Sequence, residues 1–566
     1  MTARVIVVAR EDSVTRALGE RLGRSSAVAS CRLVATPAEL GDVDLVVYRP
    51  ALASRRAGGP DLAAAAAVFA GCRAAGVRKF ILLSSAAVSA PSHQHPGLVA
   101  EERASAARIG NRVSREWAAL EEMAADGLGE GMHLIVLRPT AIAARDSEEF
   151  LARLLGGRVA FVAAGYDPSV QFLAVEDLAE AVTLAVERVG AAAGPVTVPF
   201  PARRHGREPL GTAPPAAPLE VYHVAPAGTV PLRSALRLAG VRRVALPWSL
   251  LRLVGNEDQL AWTRYPATVL GARIAGELGF RARKSSAEAV VGAFGRGGEA
   301  PSFDPYGMSP GYIAAYGRTL FRFLHDRFWR IEWRGLENVP RSGRAVLTGV
   351  HRGFMPWDGV MALHLLTREI GRTPRFLIHP CLVKPPFLAN YMTKLGGIVA
   401  CQENADWVLS QDELLGMFPE GIHGAFTMYR DAYKLGKFGR DEYVKMALRN
   451  RAPIVPFVTV GSAEIYPILG RLDWKWVKRS TEWLFLPLAP NFPFPGLPLP
   501  SKWHTRFLEP IPIHLQHPPE AADDPETVAA ISREVRARME EAIAAMLARR
   551  RSIFFGSVFE GQPLGS

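Results

Sequence analysis

Short apolar runs alternate with helically spaced apolar positions along the first half of the chain. Residues 5–9 form an unbroken apolar run, whereas apolar residues recur at helical spacing between 13 and 22. The first pattern predicts a buried strand and the second an amphipathic helix. Further strands are predicted at 33–35, 44–48, 80–85, 133–139 and 221–225, further helices at 63–75 and 113–125, and an insertion loop at 201–219. This alternation predicts an α/β fold with βαβ units and a doubly wound parallel sheet.

The second half follows a segment rich in glycine and proline, residues 295–311, which is predicted to be a linker. We therefore expect one domain at 1–294 and another at 312–566. In the second domain, helical spacing predicts a helix at 312–328, and an apolar run predicts a strand at 345–350.

Length, charge and cysteine content narrow the class of protein. The chain has 566 residues, which is too long for a single core. The net charge of +12 suits nucleic acid, an anionic membrane surface or an acidic substrate, although general use of arginine explains it as well. The four cysteines have no C-x-x-C spacing, which excludes a disulfide framework and a zinc site and favours a reducing compartment.

Two stretches, 376–392 and 474–503, place aromatic and basic residues beside apolar ones. This composition is typical of a membrane interface, although packing in a core would produce it too. No apolar run approaches the roughly 20 residues that a spanning helix needs. We therefore expect a cytoplasmic protein, peripheral on the inner face of the membrane, with an anionic membrane surface as partner. No nucleic-acid motif accompanies the basic stretches, so no nucleic-acid partner is expected.

The first domain carries three recognisable blocks. They are Leu-Ser-Ser-Ala-Ala-Val at 83–88, Leu-Arg-Pro-Thr at 137–140, and residues 171–179, with the pattern V-x-D-x-A. Over roughly 1–290 the chain resembles the extended short-chain dehydrogenase and nucleotide-sugar epimerase family. The resemblance implies a Rossmann-like domain, which in that family binds NAD(P).

The residues that would bind and use a dinucleotide depart from that family. The turn at 9–14 has no glycine, and Glu11 and Asp12 would repel a pyrophosphate there. The family's Tyr-x-x-x-Lys pair aligns with Asn111 and Arg115, which cannot replace it. We expect a degenerate, cofactor-free domain. A retained oxidoreductase or epimerase and altered ligand binding are the alternatives.

The second domain contains the best candidate for a catalytic base. His351 ends the apolar run, and Asp358 follows seven positions later at the predicted start of a helix over 358–367. A histidine can take a proton from a hydroxyl, and an aspartate can orient its ring and stabilise the imidazolium. Read separately, His351 is a loop histidine and Asp358 an N-cap residue.

Later blocks give this pair a context. Phe418, Pro419, Glu420 and Gly421 form a Phe-Pro-Glu-Gly motif about seventy positions beyond the histidine, and an apolar strand entered through prolines follows at 452–461. Over about 300–550 the chain resembles the glycerolipid acyltransferase family of the 1-acylglycerol-3-phosphate type, which implies an α/β acyltransferase domain. The usual spacing there is H-x4-D. The longer spacing here resembles a subgroup with lysophospholipid and diacylglycerol acyltransferase-like members.

The resemblance implies roles for further residues. It places Glu420, with the rest of its motif, at the acceptor pocket. Gln402 stands where many relatives carry an arginine that grips the acceptor phosphate. Residues 430–440 resemble the subgroup's R-x-x-Y-x-L-x-x-F-G-R stretch, and the basic residues there are Arg430, Lys434, Lys437 and Arg440. These cations suit the phosphates of an acyl carrier or a head group, and a solvated basic face is the alternative.

Together the blocks predict an acyltransferase that moves a fatty acyl group from an acyl thioester to a hydroxyl of a glycerolipid or lysophospholipid. His351 is the expected general base, and acyl-CoA or acyl carrier protein is the expected co-substrate, with no metal or other cofactor. The alternatives are a non-catalytic lipid-binding scaffold and, through the first domain, an NAD(P)-dependent enzyme. A hydrogen-bonding distance between His351 and Asp358 would favour the acyltransferase. The oligomeric state stays open.

Overall fold

The protein consists of two compact units, Met1–Gly307 and Met308–Ser566. The division falls within residues 295–311. The structure is a computed structural model that describes residues 2–54, 58–104, 110–127, 132–190, 219–295, 299–439, 441–491 and 497–560. Positions 201–218 of the predicted insertion loop lie outside the described residues.

The first unit alternates strands and helices in the predicted order. Its strands are β1 (Ala3–Val8), β2 (Val28–Val34), β3 (Leu45–Tyr48), β4 (Lys79–Leu83), β5 (His133–Pro139), β6 (Ala141–Ile142), β7 (Val159–Ala163), β8 (Ser169–Val170), β9 (Phe172–Leu173), β10 (Leu219–Val224), β11 (Val230–Pro231) and β12 (Arg242–Leu246). Its helices are α1 (Ser13–Gly23), α2 (Leu62–Ala74), α3 (Glu101–Ala104), α4 (Arg112–Gly127), α5 (Phe150–Gly156), α6 (Val175–Gly190), α7 (Leu232–Leu238), α8 (Trp248–Val254), α9 (Glu257–Leu260), α10 (Ala272–Glu277) and α11 (Ser286–Phe294).

A six-stranded parallel sheet, in the order β10-β5-β4-β3-β1-β2, organises this unit. Alternate residues of β1 enter different cores, because successive side chains of a strand point to opposite faces. Val5 and Val7 pack with α1 and α6, whereas Ile6 and Val8 pack with α2 and α4. The predicted doubly wound parallel sheet is therefore confirmed. The strand order reverses between β1 and β3, which opens a crevice at their carboxyl ends.

The second unit is also mixed α/β. Its strands are β13 (Glu332–Arg334), β14 (Ala345–Gly349), β15 (Arg375–Ile378), β16 (Ile398–Val399), β17 (Leu414–Met417), β18 (Ile454–Val460), β19 (Gly470–Leu472), β20 (Leu486–Leu488) and β21 (His504–Phe507). Its helices are α12 (Pro310–Tyr316), α13 (Trp357–Glu369), α14 (Leu388–Lys394), α15 (Gln402–Ser410), α16 (Ile422–Ala425), α17 (Glu442–Arg449), α18 (Lys475–Thr481), α19 (Ile513–Gln516) and α20 (Pro525–Arg549).

A seven-stranded sheet runs through this unit in the order β13-β21-β18-β14-β17-β15-β16. Neighbouring strands are parallel except β18 and β21. β14 lies at the centre and all five of its residues are buried, which explains why Thr348 is its only polar residue. The chain that leaves β14 at its carboxyl end therefore starts from a rigid position.

Two predicted helices differ in detail. The helix predicted at 312–328 is α12 followed by two π-helical turns, Gly317–Phe321 and Leu324–Phe328. Helix α13 begins at Trp357, so Asp358 lies inside its first turn and does not cap it; Pro356 holds the N-cap position. The side chain of Asp358 is engaged elsewhere.

Candidate active site

His351 and Asp358 form a hydrogen-bonded pair at the corner between β14 and α13. Nδ1 of His351 lies 2.8 Å from Oδ2 and 3.0 Å from Oδ1 of the aspartate. Oδ2 also accepts from the backbone N–H of Arg352, and Oδ1 from that of Gly359, each at 2.8 Å. The aspartate is 2% exposed, so these bonds fix its carboxylate firmly. An acceptor at Nδ1 places the ring proton there and leaves Nε2 as the basic nitrogen.

A tight turn brings the two residues together across seven positions. Gly353 (φ +76°) and Phe354 (φ +61°) both adopt positive φ, and the N–H of Met355 donates to the Gly353 carbonyl at 2.6 Å. A Cβ at Gly353 would collide with the carbonyl oxygen of Ser462. Glycine is therefore required at this position, both for its φ and for the close approach of the chain. The residues added to the usual spacing form this compact corner.

The buried side chain of Arg352 stabilises the same corner. Its side chain is 2% exposed, and its Nη1 and Nη2 donate to the two carboxylate oxygens of Glu420 at 2.6 and 3.1 Å. The remaining donors reach the carbonyls of His351 (2.7 Å), Ala432 (2.5 Å) and Lys434 (2.9 Å). All five N–H groups of the guanidinium thus have partners. Arg352 was not among the predicted site residues. Its only signal in the sequence is a charge directly after the histidine, in an apolar context.

Glu420 pairs with Arg352 and is not among the residues that line the cavity beside His351, so its place at the acceptor stays a prediction. Its carboxylate is buried, bonded to Arg352, and accepts the backbone N–H of Gly436 at 2.6 Å. Two neighbouring requirements explain this position: a buried arginine needs a countercharge, and a buried carboxylate needs donors. Glu420 joins the His351 corner to the loop that contains Gly436.

The C-terminal helix α20 supports that loop from its other side. Arg536 donates to the carbonyls of Leu435 and Gly436 at 2.6 and 2.8 Å. A continuous series of contacts thus runs from α20 through Gly436, Glu420 and Arg352 to the backbone of His351.

A large apolar cavity of about 440 Å³ reaches His351. Its wall is built mainly by the first turns of α13, by β15 and the segment after it, and by the region around Phe418. Lining residues include Phe354, Val360, Leu363, Phe376, Ile378, Leu382, Leu388, Met392, Ile422, Phe426, Met446 and Trp483. Among the described residues that line the cavity there is no lysine or arginine. Its surface suits a hydrocarbon chain.

The Phe-Pro-Glu-Gly motif divides between the cavity and its support. The Phe418 ring lies 5.0 Å from the His351 ring and 5.6 Å from the Phe376 ring, measured between centroids. Gly421 also lines the cavity. The Pro419 carbonyl accepts the N–H of Gly439 at 2.9 Å. Phe418 and Gly421 thus face the space beside the histidine, whereas Pro419 and Glu420 hold the surrounding loops.

Gln402 lines the cavity and has an unpartnered amide oxygen. Its Nε2 donates to Oδ1 of Asp406 at 2.7 Å, which fixes the orientation of the amide. Its Oε1 is buried and has no hydrogen-bond partner within the part of the chain that the structure describes. A buried acceptor of this kind suits a donor such as a hydroxyl group.

The predicted basic set lies apart from the cavity lining. Arg430 and Lys434 are exposed and both pair with Asp431, at 3.4 and 2.9 Å. Lys437 is exposed as well, and Arg440 lies outside the described residues. The three described cations occupy a solvent-facing loop. Their role in phosphate binding stays a prediction.

The crevice of the first unit is a cavity of about 230 Å³ whose lining is rich in charged and polar groups. Asp146 accepts from the N–H and the hydroxyl of Ser13 at 2.8 and 2.5 Å, and Asp12 accepts the N–H of Thr15 at 2.8 Å. Arg49 pairs with Asp12 at 2.5 Å. Carboxylates thus occupy the start of α1, where a dinucleotide would place its pyrophosphate. These residues do not fit that group.

The two residues that align with the dehydrogenase Tyr-x-x-x-Lys pair bond to the backbone or face the solvent. Asn111 donates to the carbonyl of Asp258 at 2.8 Å and accepts the N–H of Ser114 at 3.2 Å. Arg115 is exposed on α4. Neither side chain supplies proton-transfer chemistry at the crevice.

Comparison with known proteins identifies the second unit. A family model described as Acyltransferase matches residues 330–460, a range that contains His351, Asp358 and Glu420. An uncharacterised protein of Mycobacterium tuberculosis is 37% identical over 261 residues, which is 45% of this chain and 72% of the relative. The second unit contains a domain of the acyltransferase family. An uncharacterised Mycobacterium leprae protein is 34% identical over 300 residues, which is 52% of this chain and 78% of the relative.

A more distant acyltransferase relative has a descriptive name. Phytyl ester synthase 1 of the Arabidopsis thaliana chloroplast is 28% identical over 254 residues, which is 40% of this chain and 36% of that protein.

Solved structures resemble the other half of this acyltransferase chain. A UDP-galactose 4-epimerase (16% identity, TM-score 0.36) and a human epimerase family protein with NADPH (15%, TM-score 0.37) each cover 51% of this chain. The matches span 97% and 98% of those chains. At this level of similarity they carry no functional statement.

The described part of the acyltransferase chain contains no helix that is both long and apolar enough to cross a membrane.

Proposed function

We propose that this acyltransferase moves a fatty acyl group from a thioester to a lipid hydroxyl, with His351 as the general base. The observation that carries the proposal is the His351–Asp358 pair, 2.8 Å apart, on the wall of a 440 Å³ apolar cavity. A base, the group that orients it and a place for an acyl chain thus occur together.

The chemistry follows from the two ring nitrogens. Nε2 of His351 takes the proton of the acceptor hydroxyl while the hydroxyl oxygen attacks the thioester carbonyl carbon. The carbon–sulfur bond then breaks, and the imidazolium returns its proton to the departing thiolate. Asp358 stabilises the imidazolium through Nδ1 during this exchange. The products are an ester and a free thiol, on coenzyme A or on acyl carrier protein.

The acceptor that best suits the cavity is an uncharged lipid alcohol, such as an acylglycerol or a long-chain alcohol. Gln402 lines the cavity with an uncharged amide whose Oε1 has no hydrogen-bond partner in the described part of the chain, and the described lining contains no lysine or arginine to balance a phosphate. The name of the Arabidopsis relative, which describes synthesis of phytyl esters, agrees with ester formation. A lysophospholipid is the second acceptor class, and it would depend on the exposed cations Arg430, Lys434 and Lys437.

A non-catalytic lipid-binding scaffold is less consistent with the site. A scaffold needs the apolar cavity but has no need for a histidine held by a buried carboxylate. The short His351–Asp358 distance favours the enzyme.

The deciding experiment uses labelled acyl-CoA with lysophospholipids, monoacylglycerols, diacylglycerols and a long-chain alcohol. We expect labelled ester with the natural protein and at least a ~100-fold slower rate with His351→Ala, because a general base contributes about 10²–10⁴. The thermal unfolding midpoint of the variant should stay close to that of the natural protein. Full activity of His351→Ala would contradict the mechanism.

A further inference from the structure

Large apolar side chains are exposed along residues 469–488, which contain the hairpin β19–β20 and the helix α18 between its strands. We call this segment the aromatic hairpin. Leu469 is 65% exposed, Trp476 is 64% exposed and Trp474 is 52% exposed. The two tryptophan rings lie side by side, with centroids 5.5 Å apart. A cluster of exposed apolar residues of this size marks an interaction surface.

The aromatic hairpin is also strongly basic. Between 471 and 479 it carries four cations and one acidic residue, Asp473. Lys478 pairs with Asp473 at 2.8 Å. The other three cations are Arg471, Lys475 and Arg479, all exposed. Tryptophan with lysine and arginine on one surface is the composition of a segment that lies at a lipid–water boundary.

A second segment, residues 384–388, exposes another aromatic ring. Phe387 is 71% exposed and sits at φ +62°, where the N–H of Leu388 donates to the carbonyl of Pro386 at 2.7 Å. This is a γ-turn with positive φ, which is rare and strained for a bulky residue. Because the ring is exposed, packing within this unit does not offset the strain. Burial of the ring against a partner outside the chain would offset it.

The two segments meet beside the acyl cavity. Lys384 and Glu482 form an ion pair at 3.1 Å that joins them. Pro385 and Leu388 from one segment and Trp483 from the other line the cavity. Because Pro385 is exposed as well, the cavity reaches the surface here. Phe387, between Pro385 and Leu388, therefore borders the rim through which a lipid chain would enter, and the segment that carries the exposed tryptophans reaches the same rim through Trp483.

We propose that residues 384–388 and the aromatic hairpin form a docking face for an anionic lipid bilayer, with the cavity rim against the membrane. The exposed rings enter the interface, and the cations face the lipid phosphates. Continuity between this face and an apolar cavity beside His351 favours a lipid surface over a protein or a nucleic acid. The proposal concerns binding and stands apart from the identity of the acceptor.

The test is sedimentation of the full chain with vesicles of phosphatidylcholine, alone or mixed with phosphatidylglycerol. We expect binding to the mixed vesicles. Trp474→Ser with Trp476→Ser should weaken it by about tenfold or more, since burial of a large apolar side chain is worth this much. Lys475→Gln with Arg479→Gln should weaken it by about fivefold per cation, on the mixed vesicles only.

A matched control comes from the first unit. Leu253 on α8 is 79% exposed, so Leu253→Ser removes an exposed apolar side chain outside the docking face and should leave vesicle binding unchanged. Unfolding midpoints of all variants should match that of the natural protein. The proposal is overturned if the natural chain does not sediment with the mixed vesicles, if the double tryptophan variant binds as well, or if Leu253→Ser loses as much. It is also overturned if the tryptophans instead hold a dimer that forms without vesicles.

Discussion

Each unit has a carboxylate that accepts backbone N–H groups where a strand of the central sheet leads into a helix, yet the side-chain partners of these carboxylates differ. In the first unit, Asp12 and Asp146 accept backbone N–H groups at the start of α1, and Arg49 neutralises Asp12. In the second unit, Asp358 accepts from a histidine that lines a 440 Å³ cavity.

The difference shows that an α/β fold determines where a site can form but not whether the residues there can do chemistry. The carboxyl end of the sheet is a favourable place for a site because loops and helix starts converge there. A site is functional only when the polar groups there leave a titratable atom and some space for a substrate. In the first unit the charged groups that line the crevice pair with one another or with backbone N–H groups, whereas the second unit keeps the basic nitrogen of His351 beside an apolar cavity.

Removal of each carboxylate in turn is the most severe test of the difference between the two units. Asp358→Asn should lower kcat by about 10²–10⁴, because the amide no longer stabilises the imidazolium, with little change in KM. Asp146→Asn makes the same change at the other helix start and should alter the rate less than about twofold, in line with a surface substitution away from the chemistry. Steady-state kinetics on one acceptor compare the two. Equal losses would refute the contrast.

The support of the catalytic corner gives the next largest effect. Glu420→Ala leaves the guanidinium of Arg352 buried without a countercharge, so the second unit should lose about 3–5 kcal/mol of unfolding free energy in denaturant. Lys434→Ala removes an exposed ion pair with Asp431 and should cost less than about 1 kcal/mol. If Glu420→Ala raised only the KM for the acceptor and left stability unchanged, the glutamate would bind substrate after all.

A buried glutamate in the lining of the crevice, Glu149, predicts a pH effect in the first unit. Burial raises the pKa of Glu149 to about 7, against an ordinary value of 4.5. Between these values the folded state holds a proton that the unfolded state releases, so stability falls as the pH rises from about 4.5 to 7. Glu149→Gln should remove this part of the slope, an effect of about 2 kcal/mol or less. Unfolding curves at several pH values measure it, with the exposed Glu11→Gln as control; identical slopes for Glu149→Gln and the natural chain would contradict it.

The first unit is expected not to bind a dinucleotide. Titration with NAD+ or NADP+ should give no saturable heat or shift in unfolding midpoint, because Ser13 and Thr15 already donate their N–H groups to carboxylates. Saturable binding would restore the oxidoreductase or epimerase alternative.

Local sequence patterns were sufficient for the sheet of the first unit and for the His351–Asp358 pair. Strands such as β1 are apolar on both faces, and a tight turn is encoded by Gly353 within the seven-position spacing. The pairing of Arg352 with Glu420 joins residues 68 positions apart, and no periodicity reveals it. Family resemblance predicts Glu420 at the acceptor. A motif shows which residues occur together, but it does not show that this side chain turns towards Arg352. The two π-helical turns after α12 share the apolar spacing of an α-helix and were invisible for that reason.

The position of α20 has a practical consequence for inhibition. Arg536 holds Gly436, and Gly436 holds Glu420, so the helix braces the catalytic corner without lining the cavity. An antibody fragment or small molecule that displaced this helix would loosen the corner that holds His351 and so lower turnover without entering the cavity.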